Sequence, residues 1–226
     1  MVDGGLFIAF EGPEGSGKST QVRLLGERLS PLGIPLVVTR EPGGTPIGEQ
    51  VRTVLLDRTN CAMLAETEVL LYSAARAQHV GEVLQPALAA GAVVVCDRYV
   101  DSTLAYQGAG RGLPLASLAA VQRFATGGLV PDLRVLLDVP AGLGLGRRFA
   151  VPGEINRLDV ADIAFHERVR GAYLAAAAAD PSGWAVIDAT GTIAEVADLV
   201  VAAVLPRVEQ RSEHGARGGR TPTGRA

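Results

Sequence analysis

Gly12-Pro13-Glu14-Gly15-Ser16-Gly17-Lys18-Ser19 is the stretch that decides the fold. It matches Gly-x-x-x-x-Gly-Lys-Ser/Thr, and it lies where that spacing has a mechanism. Before it, Leu6 to Phe10 (LFIAF) is a short apolar run that reads as a buried strand ending at Glu11. After it, Gly17 to Leu32 carries a helical pattern. Glycines let backbone N–H groups turn inward around an anion, and the helix N-terminus adds partial positive charge. Lys18 is placed to reach the outer phosphates and Ser19 to hold a magnesium ion. The expectation is a nucleoside triphosphate site at Gly12, Pro13, Glu14, Gly15, Ser16, Gly17, Lys18, Ser19 and Thr20. The alternative is a glycine-rich turn without a ligand. Lysine usage weighs against that alternative. The chain has 21 basic side chains, and Lys18 is the one lysine among them. Coding bias accounts for a shortage of lysine but not for the place of the one that remains.

Working outward, apolar strand-like runs alternate with longer helical patterns. Ile34 to Thr39, Ala92 to Cys96, Leu133 to Val139 and Trp184 to Ile187 read as further strands. Helical patterns cover Ile47–Leu56, Leu64–Ala90 (interrupted by Pro86), Leu115–Ala125, two segments around Pro152-Gly153, and Ile193–Leu205. The strands are apolar throughout instead of alternating, as strands buried on both faces are. Strand–helix alternation implies parallel pairing with right-handed crossovers. The fold class is therefore α/β: an open parallel five-stranded sheet with helices on both faces, one domain over residues 1–206.

Composition narrows the class. The 226 residues are 48% hydrophobic, which excludes a chain disordered throughout. No apolar run approaches the roughly 18 residues of a membrane span, and the N-terminal residues lack a signal-peptide pattern. Cys61 and Cys96 are too few for a disulfide framework or metal cluster, and Cys96 reads as a core thiol. A cytoplasmic protein is expected. Residues 207–226 carry five Arg and two Glu, leaving an acidic body that argues against a general nucleic-acid surface. This Arg/Gly-rich tail is expected to be disordered, with RNA contact as a minor alternative.

Ligands of such sheets bind at the carboxyl ends of the strands. The second strand is followed by Arg40-Glu41-Pro42-Gly43-Gly44-Thr45, and the third by Asp97-Arg98-Tyr99. Each puts an Arg beside a carboxylate. Either pair alone reads equally well as a local ion pair. Two of them facing a phosphate loop point to a clamp for a second phosphate. Tyr72 and Arg76 share a helix face and suit stacking on a base with an Arg at its edge; a half-buried Tyr beside a surface Arg is the plainer reading. His79 and His166 have no metal-spaced partners and read as ordinary helix residues.

The chain resembles the thymidylate kinase family, bacterial nucleoside monophosphate kinases of the P-loop NTPase type. The resemblance rests on FEGPEGSGKST, TREPGGT, YSAAR, DRYVDSTLAYQGAGRG, PDLRVLLDV and NRLD in that order, from Phe10 to Asp159. It implies phosphorylation of dTMP by ATP with Mg2+ for dTTP synthesis, by direct in-line transfer, in a homodimer. It implies that Glu14 faces the deoxyribose 3′-hydroxyl, that Arg40 and Arg98 hold the dTMP phosphate, and that Asp97 helps Ser19 organise magnesium. Tyr72 would stack on thymine and Arg76 would reach the base. Ser102, Thr103, Tyr106 and Gln107 would line the nucleoside pocket. The lid would lie at about residues 147–157. It carries fewer arginines than the resemblance leads one to expect, leaving Arg148 or Arg157 as the catalytic one. No membrane partner is expected. Two other functions stay open on the sequence: a nucleotide-dependent switch, and a protein that binds dTMP but transfers poorly.

Overall fold

The structure, a computed structural model, describes residues 5–151 and 155–218, with side chains through residue 211. The lid residues 152–154 and the last eight residues of the tail lie outside the described residues. Five strands form one all-parallel sheet: β1 (Leu6–Glu11), β2 (Leu36–Arg40), β3 (Val93–Asp97), β4 (Leu133–Asp138) and β5 (Trp184–Asp188), in the order β2-β3-β1-β4-β5. The register sets Phe10 beside Asp97 on one side and Val135 on the other. The carboxyl ends of the strands therefore meet along one edge.

The central strands β1, β3 and β4 are covered on both faces, as their uniformly apolar sequence requires, whereas the edge strands leave Val38 of β2 and Val186 of β5 about half-exposed. Leu6, Ile8 and Phe10 point to a core completed by Val22, Leu25 and Leu29 of α1 (Lys18–Leu29) and by Val196, Val200, Val204 and Val208 of α9 (Ile193–Gly218). Phe7 and Ala9, one residue out of phase, point the other way. They join Val80, Leu84 and Leu88 from the helical run α3 (Ala65–His79), a π-helix at Val80–Leu84 and α4 (Gln85–Ala89). This run is one stretch broken near Pro86, as read. Cys96 is buried in the same layer, as expected for a core thiol.

The remaining helices are α2 (Pro46–Leu56), α5 (Val100–Thr103), α6 (Leu115–Thr126), α7 (Ala141–Phe149) and α8 (Ile163–Ala179). Two differences from the sequence reading stand out. First, Val100–Gly110, which the sequence reading assigned to no element, is helical, ending in a π-helix over Leu104–Gly110. Its hydrogen bonds go to buried partners described below, so tertiary contacts override weak propensity. Second, α9 does not stop at Leu205. It passes Pro206 and runs to Gly218, with Val208 in the core and Arg207 donating to the Ser182 carbonyl at 2.8 Å. The tail expected to be disordered from Arg207 thus begins as packed helix.

Candidate active site

The loop between β1 and α1 has the geometry its glycines foretold. Gly12, Gly15 and Gly17 all have positive φ. A Cβ on Gly15 would overlap the Gly144 carbonyl, and one on Gly144 would overlap the Glu14 carbonyl. The loop tip is thus packed backbone to backbone on α7, the helix that carries Arg147 and Arg148. Lys18 lies back over the loop, donating to the carbonyls of Gly12 (3.0 Å) and Pro13 (2.8 Å) and to Ser16 Oγ (3.1 Å). Burial and then the nearby Arg98 lower its pKa to about 8, against the pull of Glu14 and Asp97. Ser19 Oγ donates to Asp97 Oδ2 at 2.5 Å, so the two residues expected to serve a metal meet at the cavity edge.

Arg98, at the end of β3, reaches into the same loop. It has φ 73°, a left-handed conformation that costs a non-glycine residue about 1–3 kcal/mol. Its guanidinium donates to Glu14 (2.8 Å), Tyr106 Oη (3.1 Å), Ser102 Oγ (3.1 Å) and the Gly12 carbonyl (3.2 Å). Burial alone would raise the Glu14 carboxyl. Arg98 and Lys18, with a hydrogen bond from Tyr106, instead hold it down at about 2.

Behind Arg98 lies a residue that motif reading passed over. Glu11 is fully buried and accepts from the Tyr99 N–H (2.9 Å), Ser102 Oγ (2.6 Å) and Tyr173 Oη of α8 (3.0 Å). Burial and the charge of Asp101 push it up to about 7. Glu11 and Tyr173 together fix the backbone that presents Arg98. The signal for Glu11 was its charge at the end of a buried strand; Tyr173 had none.

Tyr72, Arg76, Ser102, Thr103, Tyr106 and Gln107 converge on the same cavity of about 630 Å3, together with Arg40, Asp97, Arg98 and the loop residues Glu14 to Thr20. Burial pushes the Tyr72 hydroxyl up to about 12, so its ring is a neutral face. Arg76 differs from the plain reading as a surface residue. It is 2% exposed and donates to Glu41, Thr103, Gln122 and the Tyr99 carbonyl. Glu41 also meets His79 Nδ1 at 2.9 Å, and Thr39 meets the other ring nitrogen at 2.7 Å. His79 is therefore a buried partner of the substrate-side wall, not an ordinary helix residue. His166 is buried as well.

Arg40 reaches Glu49 at 2.9 Å and stays half-exposed at the rim. Arg52 of α2, which the sequence reading did not single out, lines the cavity beside it. The two lid arginines separate. Arg148 lines the cavity, donates to Asp159 at 3.0 Å and contributes to lowering Glu14. Arg157 pairs with Glu68 of α3 and donates to the Leu55 carbonyl, away from the loop. Of the two candidates, Arg148 is the one this geometry brings to the phosphate side. Arg147, also unexpected, lines the cavity and donates to the carbonyls of Ala189 and Thr190, next to Gly191, Thr192 and Ile193, which line it too.

A cleft at the carboxyl ends of a parallel sheet, lined by a lysine-bearing phosphate loop and by several arginines, is that of a P-loop phosphotransferase. The family model for thymidylate kinase matches residues 10–200, and the chain belongs to the thymidylate kinase family. Curated relatives agree over nearly full length. It is 57% identical to a thymidylate kinase of Thermomicrobium roseum over 88% of this chain and 93% of that one. It is 50% identical to one of Pseudomonas fluorescens over 92% of this chain and 98% of that one. Among solved structures, thymidylate kinase from Ehrlichia chaffeensis superposes with a TM-score of 0.75 at 32% identity, covering 89% of this chain and 99% of that one.

Proposed function

We propose that the protein transfers the terminal phosphoryl group of ATP to dTMP, giving dTDP and ADP, in the supply of dTTP for DNA replication. The observation that carries this reading is one cavity lined by Lys18 and, beside it, by three further cationic side chains, Arg40, Arg52 and Arg98. A switch protein has no use for that additional cationic group. Relatives named thymidylate kinase at 57% and 50% identity support dTMP as the acceptor.

The chemistry is chiefly alignment and charge compensation. Lys18, a point charge on a flexible stem, leaves the loop carbonyls and follows the transferred group. Arg98 orients the acceptor phosphate from a backbone fixed by Glu11. Glu14, ionised throughout the neutral range, accepts from the sugar 3′-hydroxyl. Tyr72 offers its ring to the base and Tyr106 closes on the sugar. Arg148 supplies the lid charge. Arg147 with Ala189, Gly191, Thr192 and Ile193 forms the part of the cavity suited to the nucleoside of ATP. Ser19 and Asp97, hard oxygen donors in contact with each other, fit Mg2+ and would hold it. The ion supplies charge neutralisation at the phosphates when bound. Among the described residues no group of three or more His, Cys, Asp or Glu gathers as a metal site.

A homodimer is part of the proposal. Leu70 of α3 and Phe124 of α6 are 61% and 92% exposed on two helices that pack together, apolar side chains available to a second copy. Among the described residues no helix is long and apolar enough to cross a membrane, and a cytoplasmic location suits the reaction. The test is an acceptor panel. ADP formation should rise on adding dTMP far more than on adding dAMP, dGMP or dCMP. Equal ADP formation with every acceptor, or none above background with dTMP, overturns the assignment.

A further inference from the structure

Glu68 is fully buried in α3, one turn before Tyr72 and two before Arg76, on the face turned to the cavity. Three side chains donate to it. Arg111 (3.3 Å) and Arg157 approach Oε2, and Gln107 Nε2 approaches Oε1 at 2.6 Å. None of the functional roles assigned above uses Glu68.

The contact with Gln107 has a chemical consequence. A carboxylate that receives two guanidiniums offers acceptors only, so the amide must turn its NH2 group toward it. The carbonyl oxygen of Gln107 is then fixed in the other direction. Gln107 is 2% exposed, lines the cavity, and its Oε1 has no protein donor among the described residues. An amide carbonyl held in one direction at a cavity wall is an acceptor for a bound ligand, and a ligand that displaces the cavity's water without offering a donor there leaves it unmet at the cost of its desolvation.

We infer that Glu68 is a specificity-determining positioning residue: by fixing the Gln107 amide with its carbonyl toward the acceptor base, it selects bases that donate a ring N–H over bases whose ring nitrogen accepts. The inference rests on the reading of the cavity as a deoxynucleotide acceptor site. Thymine and uracil carry the N3–H that this carbonyl needs. Cytosine presents an N3 lone pair and opposes acceptor to acceptor. The 5-methyl group plays no part, so Glu68 separates dTMP from dCMP and leaves dTMP against dUMP to other contacts.

The experiment measures kcat/KM of the full chain for dTMP, dUMP and dCMP, and KM for ATP, in wild type and Glu68→Gln. A glutamine at position 68 can donate as well as accept and releases the Gln107 amide to turn over. The dTMP-to-dCMP ratio should fall by about tenfold or more, while the dTMP-to-dUMP ratio and the KM for ATP stay within about twofold. Arg111→Ala and Arg157→Ala remove the other partners of Glu68 and should leave the dTMP-to-dCMP ratio unchanged. Gln107→Leu, which keeps Glu68 and both arginines, should lower that ratio as Glu68→Gln does and covers the case in which Glu68→Gln fails to fold. An unchanged ratio in folded Glu68→Gln or in Gln107→Leu overturns the inference, as does an equal fall in the two arginine variants. Failure of wild type to phosphorylate dTMP would instead remove the functional reading on which it rests.

Discussion

Lys18→Met should make the protein more stable while abolishing its turnover. The wild-type ammonium is buried to 6% exposure, and its pKa stands at about 8 against an ordinary 10.5. That lowering is a net result, since the pull of Glu14, Asp97 and Glu11 is already included. At 1.36 kcal/mol per pH unit, the charged form costs the folded state ~3 kcal/mol at pH 7. Methionine keeps the length and apolar stem without the charge. The sign is fixed by linkage. Between pH 8 and 10.5 the unfolded chain binds the proton more tightly, so wild-type stability rises with pH across that window. The advantage of Lys18→Met is therefore full below pH 8 and fades above it. For a chain of this size the gain corresponds to roughly 6–12 °C in Tm. Urea denaturation and thermal melts at pH 7 and pH 10 measure it, with dTMP-dependent ADP formation as the activity readout. A variant no more stable than wild type at pH 7, or an advantage that does not shrink at high pH, refutes the reasoning.

Other perturbations have defined outcomes. Glu41→Gln leaves the Arg76 charge buried without its carboxylate and should cost about 3–5 kcal/mol in urea denaturation. Tyr173→Phe removes the hydroxyl shared by Glu11, Ser102 and Arg98. It should weaken dTMP binding about tenfold by calorimetry, with ATP binding unchanged. Gly144→Ala pushes a methyl into the Glu14 carbonyl. Turnover should fall while the circular dichroism spectrum stays native. The contribution of Glu14, depressed from 4.5 to about 2, is fully present above pH 4.5 and lost as pH falls toward 2. In acid titration Glu14→Gln should therefore lose less stability than wild type over that range.

The sheet was legible because each strand is apolar on both faces, and the phosphate loop because its glycines and lysine have no cheaper explanation. The two strand-end arginines were legible as a pair. Glu11 and Tyr173 were not, because they meet across 162 residues and belong to no local pattern. Helix at Val100–Gly110 was hidden by its glycines; it forms where Glu11 accepts from the N–H of Tyr99 and of Ser102. The length of α9 was masked by Arg/Gly composition, against which a single core residue, Val208, carries little weight in a sequence. Arg148 and Arg157 were equal candidates for the phosphates by their place in the lid, but a buried carboxylate 89 residues away decides where Arg157 points.

The central claim is phosphoryl transfer from ATP to dTMP inside one cavity. Following the products by 31P NMR with ATP, Mg2+ and dTMP tests it most directly. dTDP and ADP should appear in equal amounts, and both should stop when dTMP is withheld. ADP formed at an undiminished rate without dTMP, or dTMP left intact while ATP is consumed, would contradict it.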